Sequence, residues 1–290
     1  MDKSYAYLDG KLLNNGEIIH SNNRSYSYGD GLFESIRIMN GAPLNVSNHF
    51  QRLEEGAQAL KMRLPSYLNA TFFEEKIKEL IEKSGIRKGG KCKISIDRNA
   101  GGAYLPENSE VSYLIEVFPY EHNLFELNQK GIEIDIYTDI RKTKNMLSGY
   151  KTKNCLLYIM AAIQARENGL QDMLICNERG GILESSNSNL FLVSNGVLYT
   201  PGLDEGCLAG TMRMQVINLA IKHGMKVYES QILPQNLLAA DEIFLTNAVR
   251  GVTWVGGYRT KRYFNVVARR IQSYLNDHWG GQQPSYATGN

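Results

Sequence analysis

The chain opens with two short apolar stretches, Tyr5–Leu8 and Lys11–Leu13, divided by Asp9-Gly10 and closed by Asn14-Asn15-Gly16. Asp-Gly and Asn-Gly supply the backbone angles of tight hairpin turns, so antiparallel strands are predicted here. A further strand is expected from about Leu32 to Met39, ended by Asn40-Gly41, with Gly29 and Gly31 allowing tight geometry ahead of it. Phe50, Leu53, Ala57 and Leu60 then recur at helical spacing, which predicts a helix over Ser47–Leu60 with Ser47 placed as its N-cap. A second amphipathic helix is predicted over Thr71–Lys83, and strands over Lys91–Asp97 and Val111–Phe118 flank a glycine-bearing loop at Asn99–Pro106.

The pattern shifts at Pro119-Tyr120-Glu121-His122, the best place for an interdomain connector. Beyond it, strands are predicted at Gly131–Tyr137, Met173–Cys176, Asn189–Val193, Val197–Tyr199, Lys226–Glu229, Glu242–Thr246 and Val252–Val255. Helices are predicted at Asn154–Glu167, Thr211–Lys222 and Asn265–His278. Strands and helices mix without strict alternation, which predicts an α+β protein rather than a doubly wound parallel sheet. The expected division is a small N-terminal domain over residues 1–119, a connector over 120–127, a larger domain over 128–279 and a mobile tail over 280–290.

Composition narrows the partners. The 290 residues carry 32 Lys+Arg against 30 Asp+Glu, a net charge of +2, which gives no electrostatic reason for nucleic acid or an anionic membrane. The first ten residues lack the apolar run of a signal peptide, and no stretch reaches the ~18 consecutive apolar residues of a membrane span, so a cytoplasmic protein is expected. Cys92, Cys155, Cys176 and Cys207 are widely spaced without a C-x-x-C pair, so neither a metal site nor a disulfide framework is expected, and for the three that sit among apolar or small residues a buried inert thiol is the better reading.

Chemistry concentrates between Ser148 and Phe191. Lys151 precedes a helix, and Glu184 lies in a Gly/Ser/Asn-rich turn between strand-like runs. An amine can condense with an aldehyde cofactor, and a carboxylate can keep a pyridine nitrogen protonated. Lys144 and Lys153 compete with Lys151 for this role, and Glu184 could equally cap backbone amides. Gly206–Arg213 leads straight into a helix, a geometry suited to phosphate or to a plain N-terminal cap. Arg52 could reach a phosphate or pair with Glu55 on its own helix, and Arg250 could grip a carboxylate or join a structural salt bridge.

Together and in order, these segments resemble the class IV, or fold-type IV, pyridoxal-phosphate enzymes, which include branched-chain and D-amino acid aminotransferases and aminodeoxychorismate lyase. The resemblance runs from about Tyr7 to Gly256. The family's Tyr-Gly-Asp-Gly-x-Phe-Glu is matched by Tyr28–Glu34, and its His-x-x-Arg-Leu by His49–Leu53, which implies that Arg52 binds the cofactor phosphate. An asparagine three residues after the Schiff-base lysine is matched by Asn154, which selects Lys151 over Lys153. Glu-x-x-x-x-Asn-Leu/Ile-Phe is matched by Glu184–Phe191, implying that Glu184 pairs with the pyridine nitrogen; Gly210–Arg213 implies a phosphate cradle at Thr211 and Met212. Cofactor contacts are further expected at Asn247 and Ala248 and substrate contacts at Tyr28 and Phe33, with Arg250 as the candidate to pair with a substrate carboxylate.

What it implies overall is a two-domain fold like that of D-amino acid aminotransferase. It also implies pyridoxal 5'-phosphate in the cleft between the domains, a homodimer, and transfer of an amino group between an amino acid and a 2-oxo acid. Phe33-Glu34 resembles the aminotransferases, whereas Thr246–Val249 resembles the lyase branch, which releases pyruvate from 4-amino-4-deoxychorismate. Tyr104 stands where many relatives carry an arginine.

Overall fold

A computed structural model describes residues 5–14 and 22–280. The expected turn at Asn15-Gly16 and tail residues 281–290 lie outside the described residues. The chain divides into two compact units. One holds the described chain through Leu124, the short segment Tyr150–Lys153 and the stretch from Asn276; the other holds Phe125–Gly149 and Asn154–Leu275.

In the first unit, β1 (Tyr5–Leu8), β2 (Lys11–Asn14), α1 (Arg24–Tyr28), β3 (Gly31–Met39) and β4 (Ala42–Pro43) are followed by α2 (Val46–Ala59), α3 (Ala70–Lys83), β5 (Gly90–Arg98) and β6 (Val111–Pro119). The six strands make one antiparallel sheet in the order β2-β1-β6-β5-β3-β4. One face carries Leu32, Ile36, Ile38, Ile94 and Ile96 against Leu53 and Ala57 of α2 and Phe73, Ile77 and Leu80 of α3, a buried apolar layer. Alternation along β3 places Glu34 in the same row as Leu32 and Ile36, so a carboxylate enters that layer.

Ser47 is not the N-cap of α2. Asn45 precedes the helix in a left-handed conformation (φ 57°), its side chain does not cap the helix, and Ser47 falls inside the first turn. Asparagine tolerates positive φ better than serine, and Asn48 Nδ2 donates to Asn45 Oδ1 at 2.5 Å to hold the bend. Helix α1 had no apolar period to reveal it. At five residues it is fixed by its ends, with the Asn23 side chain accepting from Tyr26 N–H and Gly29 at φ 68° closing it.

The second unit is built on β7 (Ile132–Lys142), α4 (Leu156–Glu167), β8 (Asp172–Asn177), β9 (Ile182–Ser185), β10 (Asn189–Ser194) and β11 (Val197–Thr200). They are followed by α5 (Thr211–Lys222), β12 (Val227–Glu229), α6 (Pro234–Ala239), β13 (Glu242–Asn247), β14 (Gly251–Tyr258), β15 (Lys261–Arg262) and the start of α7 (Val266–Gly280). Strands run in the order β12-β11-β10-β13-β14-β7-β8-β9, and β9 also pairs with β10, so six strands close on themselves. Ile134, Leu174, Cys176, Leu190, Leu192, Ile243, Leu245 and Val255 fill one common core. Tyr137, Met173 and Ile175, at the opposite parity on β7 and β8, pack with Ala161 and Ala165 of α4.

Glu184 is corrected from turn to strand. It lies in β9, 2 % exposed, paired with Ile175 on one side and Asn189 on the other. Closure of the strand ring makes this short segment extended, although its Gly/Ser/Asn flanks read as loop. Beyond Tyr137, β7 continues to Lys142, carrying that lysine to the end of the strand.

Candidate active site

In the first unit the segment Tyr150–Lys153 lies against the edge of β3. Phe33 N–H donates to the Lys151 carbonyl at 3.0 Å, and Lys153 N–H donates to the Gly31 carbonyl at 2.9 Å. A Cβ at Gly31 would stand 2.6 Å from Asp97 Oδ1, 2.8 Å from the Ile96 carbonyl and 3.1 Å from Lys153 Cδ, so glycine leaves room there for the Asp97 and Lys153 side chains. The two lysines then part company. Lys153 Nζ forms an ion pair with Asp97 and donates to Ser25 Oγ at 2.9 Å, both within the protein's own framework. Lys151 Nζ stands 4.4 Å from the centroid of the Phe33 ring, an aromatic face that favours a cation.

Arg52 is 8 % exposed and pairs with Glu34, while Glu55 accepts from Gln51 Nε2 at 3.0 Å. Arg52 Nε donates to Glu34 Oε1 at 2.8 Å and its Nη2 to Glu34 Oε2 at 2.5 Å. His49, one turn earlier on α2, places Nδ1 2.6 Å from Glu34 Oε2. Burial alone would raise the Glu34 carboxyl, but Arg52 and His49 outweigh it and hold its pKa at about 2, below the ordinary 4.5. Burial pushes the His49 imidazolium down, so the ring is neutral at pH 7 and its Nδ1–H donates to Glu34. Tyr28 ends α1, half exposed, with its ring centroid 5.7 Å from that of Tyr104.

In the second unit the Glu184 carboxylate is held from three directions. Lys142 Nζ donates to Oε1 at 2.7 Å, Tyr158 OH donates to Oε1 at 2.9 Å, and Leu208 N–H donates to Oε2 at 2.7 Å. Burial first, and the Glu184 charge next, push the Tyr158 phenol up, so it remains a donor. Asn189, beside Glu184 in the strand register, donates from Nδ2 to the Leu208 carbonyl at 2.9 Å. Both peptide groups of Leu208 are thereby clamped to neighbouring strands, which fixes the approach to α5. Gly210 is the N-cap of α5 and provides no side-chain cap; a Cβ there would fall 1.8 Å from Asn189 Oδ1. Thr211 and Met212, both buried, form the first turn.

Asn247 closes β13 as an Asx turn, its Oδ1 accepting from Val249 N–H at 3.1 Å and Arg250 N–H at 2.8 Å. Its Nδ2 donates to Ser188 Oγ at 3.0 Å, tying the turn to the loop after Glu184. Ala248 follows in that turn, and the exposed Arg250 guanidinium makes no ion pair among the described residues. The structural salt bridge considered for Arg250 is therefore not formed there.

Sequence reading missed Lys142, Tyr158 and the Glu34–His49 pair. Tyr158 lies on α4, 26 positions before its carboxylate partner Glu184, and Lys142 is 42 positions from the same carboxylate. Glu34 did leave a trace, as a charge at an inward position of an otherwise apolar strand. Cys92, Cys176 and Cys207 are buried free thiols, and burial pushes Cys207 up to about 11. Among the described residues no cluster of side chains is placed to hold a metal ion, and no helix is long and apolar enough to cross a membrane.

A family model described as amino-transferase class IV matches residues 31–257, and the chain belongs to that family. Its members depend on pyridoxal phosphate. An aminodeoxychorismate lyase from Vibrio harveyi is 26% identical over 260 residues, covering 87% of this chain and 94% of the relative. A D-alanine aminotransferase from Bacillus licheniformis is 26% identical over 251 residues, covering 84% of each chain. The fold matches a branched-chain aminotransferase from Thermoproteus uzoniensis, crystallised with norvaline, at a TM-score of 0.88 with 23% identity, over 98% of this chain and 96% of that one. The uncapped start of α5, the cradle that only glycine permits at 210, and the buried Glu184 carboxylate fit a phosphorylated pyridine cofactor.

Proposed function

We propose that this protein is a pyridoxal-phosphate-dependent aminotransferase that moves an amino group between an amino acid, branched-chain-like or D-configured, and a 2-oxo acid. The observation that carries this reading is the anchoring of Glu184 and Asn189 to the two sides of Leu208, directly ahead of the α5 N-terminus. A fixed carboxylate and a fixed anion-binding helix start are thereby supplied by one short structure.

Bound pyridoxal phosphate supplies an aldehyde that condenses with amines and a ring that draws electrons from a substrate Cα. Lys151 would hold the cofactor through Nζ and, once a substrate amine has displaced it, the freed Nζ would take the substrate's α-proton and return it. Glu184 holds a proton at the ring nitrogen, while Lys142 and Tyr158 orient its carboxylate. Arg52 and the N–H groups of Thr211 and Met212 bind the phosphate, and Asn247 and Ala248 border the cofactor. Tyr28 and Phe33 face the substrate, and Arg250 binds its carboxylate as a planar two-point donor. The protein acts as a homodimer. On α4, Leu156, Ile159 and Met160 are 75%, 49% and 43% exposed at helical spacing, an apolar stripe suited to a second copy.

A lyase acting on 4-amino-4-deoxychorismate is the second reading, favoured by the Asn247-Ala248 turn and the Vibrio harveyi relative. The deciding experiment gives the holoprotein a panel of L- and D-amino acids and aminodeoxychorismate, with and without a 2-oxo acid acceptor. Oxo-acid formation that turns over only when acceptor is present is expected. Acceptor-independent pyruvate release from aminodeoxychorismate alone would establish the lyase instead.

A further inference from the structure

We propose that Glu34 is the positioning residue for phosphate recognition: it orients the Arg52 guanidinium toward the cofactor phosphate, and His49 locks Glu34 in turn. The inference rests on the reading of Arg52 as a phosphate ligand. Glu34 occupies an inward position of β3 between Leu32 and Ile36 and is 1 % exposed. An apolar side chain at that position would complete the core at no electrostatic cost, whereas a buried ion pair is at best a neutral replacement for one. Orientation is what the carboxylate adds.

The guanidinium is a rigid planar fork with five N–H donors. Glu34 grips its Nε and Nη2 edge at 2.8 and 2.5 Å, which fixes both the plane and the direction of the opposite edge. An arginine without such a grip samples many rotamers and loses that freedom each time it captures an anion. His49, one turn away on α2, donates to Glu34 Oε2 at 2.6 Å and keeps the carboxylate from rotating about its own axis. Because the imidazole is neutral at pH 7, the trio carries one cation and one anion. The same strand also holds the reactive lysine, since the Phe33 amide binds the Lys151 carbonyl at 3.0 Å. Adjacent residues of β3 thus set the backbone of Lys151 and the side chain of Arg52.

The test compares equilibrium binding of pyridoxal phosphate and of pyridoxal, which keeps the aldehyde and ring but lacks the phosphate. The proteins are wild type, Glu34→Gln, Arg52→Met and the double variant, all as apo-protein. Glu34→Gln is expected to weaken pyridoxal phosphate roughly 10- to 100-fold while changing pyridoxal less than about 3-fold, the range for losing the support of a charge-assisted contact. In the Arg52→Met background it should cost nothing further, because its effect runs through Arg52.

Equal losses for the two ligands, unchanged affinity, or additive losses in the double variant would overturn the proposal. Should Glu34→Gln not fold, Glu34→Asp retains the charge but is one methylene too short for the two-point grip. It should show the same phosphate-selective loss, and wild-type affinity in that variant would equally overturn the proposal. A wild-type protein that binds neither ligand defeats the functional reading and this inference together. A wild type that binds pyridoxal phosphate alongside unaffected variants defeats the inference alone.

Discussion

At the scale of single residues, the decisive contrasts are between neighbours of like chemistry. Lys151 and Lys153 are both cations two positions apart, yet Lys153 is committed to Asp97 and Ser25 while Lys151 Nζ stands over the Phe33 ring. Glu34 and Glu55 were both available to Arg52, and the buried one is its partner. That choice has a pH signature. The Glu34 carboxyl has a folded pKa of about 2 against an ordinary 4.5, so its contribution to stability is fully present above pH 4.5 and is lost as pH falls toward 2. Denaturant unfolding of wild type and Glu34→Gln should differ most above pH 4.5, with wild type the more stable, and the two should converge as pH approaches 2. A gap that stays constant across this range would show that the carboxylate charge is not what matters. The sequence pattern alone placed Arg52 and Lys151 correctly on their elements, but a partner 18 or 42 positions away, as for Arg52–Glu34 and Lys142–Glu184, depends on tertiary packing that periodicity does not encode.

At the scale of elements, long amphipathic segments were legible because their period alone specifies them. The helices over Val46–Ala59, Ala70–Lys83 and Thr211–Lys222 and the strands over Gly90–Arg98 and Val111–Pro119 lie within a few residues of the stretches expected. The short strands Tyr5–Leu8, Lys11–Asn14, Val197–Thr200 and Val227–Glu229 were legible too, but α1, β9 and α6 were not. Strand β9 exists because it closes a ring of strands, and α6 has only six residues, started by Pro234, with Asn236 Oδ1 accepting from Leu233 N–H. Helix α4 was legible as a helix, but its apolar residues extend around it beyond the face that Ala161 and Ala165 bury. A core helix needs one apolar stripe, so the second asks for a partner. Replacing Leu156 and Ile159 together by glutamate should convert a dimer to a monomer in light scattering at micromolar concentration. A wild-type protein that is already monomeric there would remove the assignment.

At the scale of the whole molecule, the chain crosses between its two compact units more often than a two-domain sequence suggests. Composition marked a shift near Pro119, but nothing local marks Tyr150–Lys153 as belonging with the first unit. That membership comes from a bridge between Leu32 and Thr152, 120 positions apart, and from the room that Gly31 leaves for the Lys153 side chain. The candidate reactive lysine is therefore placed by contacts invisible to any window along the sequence, while its neighbour Asn154 begins the return to the second unit. Everything proposed for function depends on that placement. The most direct measurement is borohydride reduction of the protein saturated with pyridoxal phosphate, followed by peptide mapping of the tagged lysine. A single tag on Lys151, lost in Lys151→Ala and kept in Lys153→Ala, is the predicted result. A tag on Lys142, Lys144 or Lys153, or no tag at all, would contradict it.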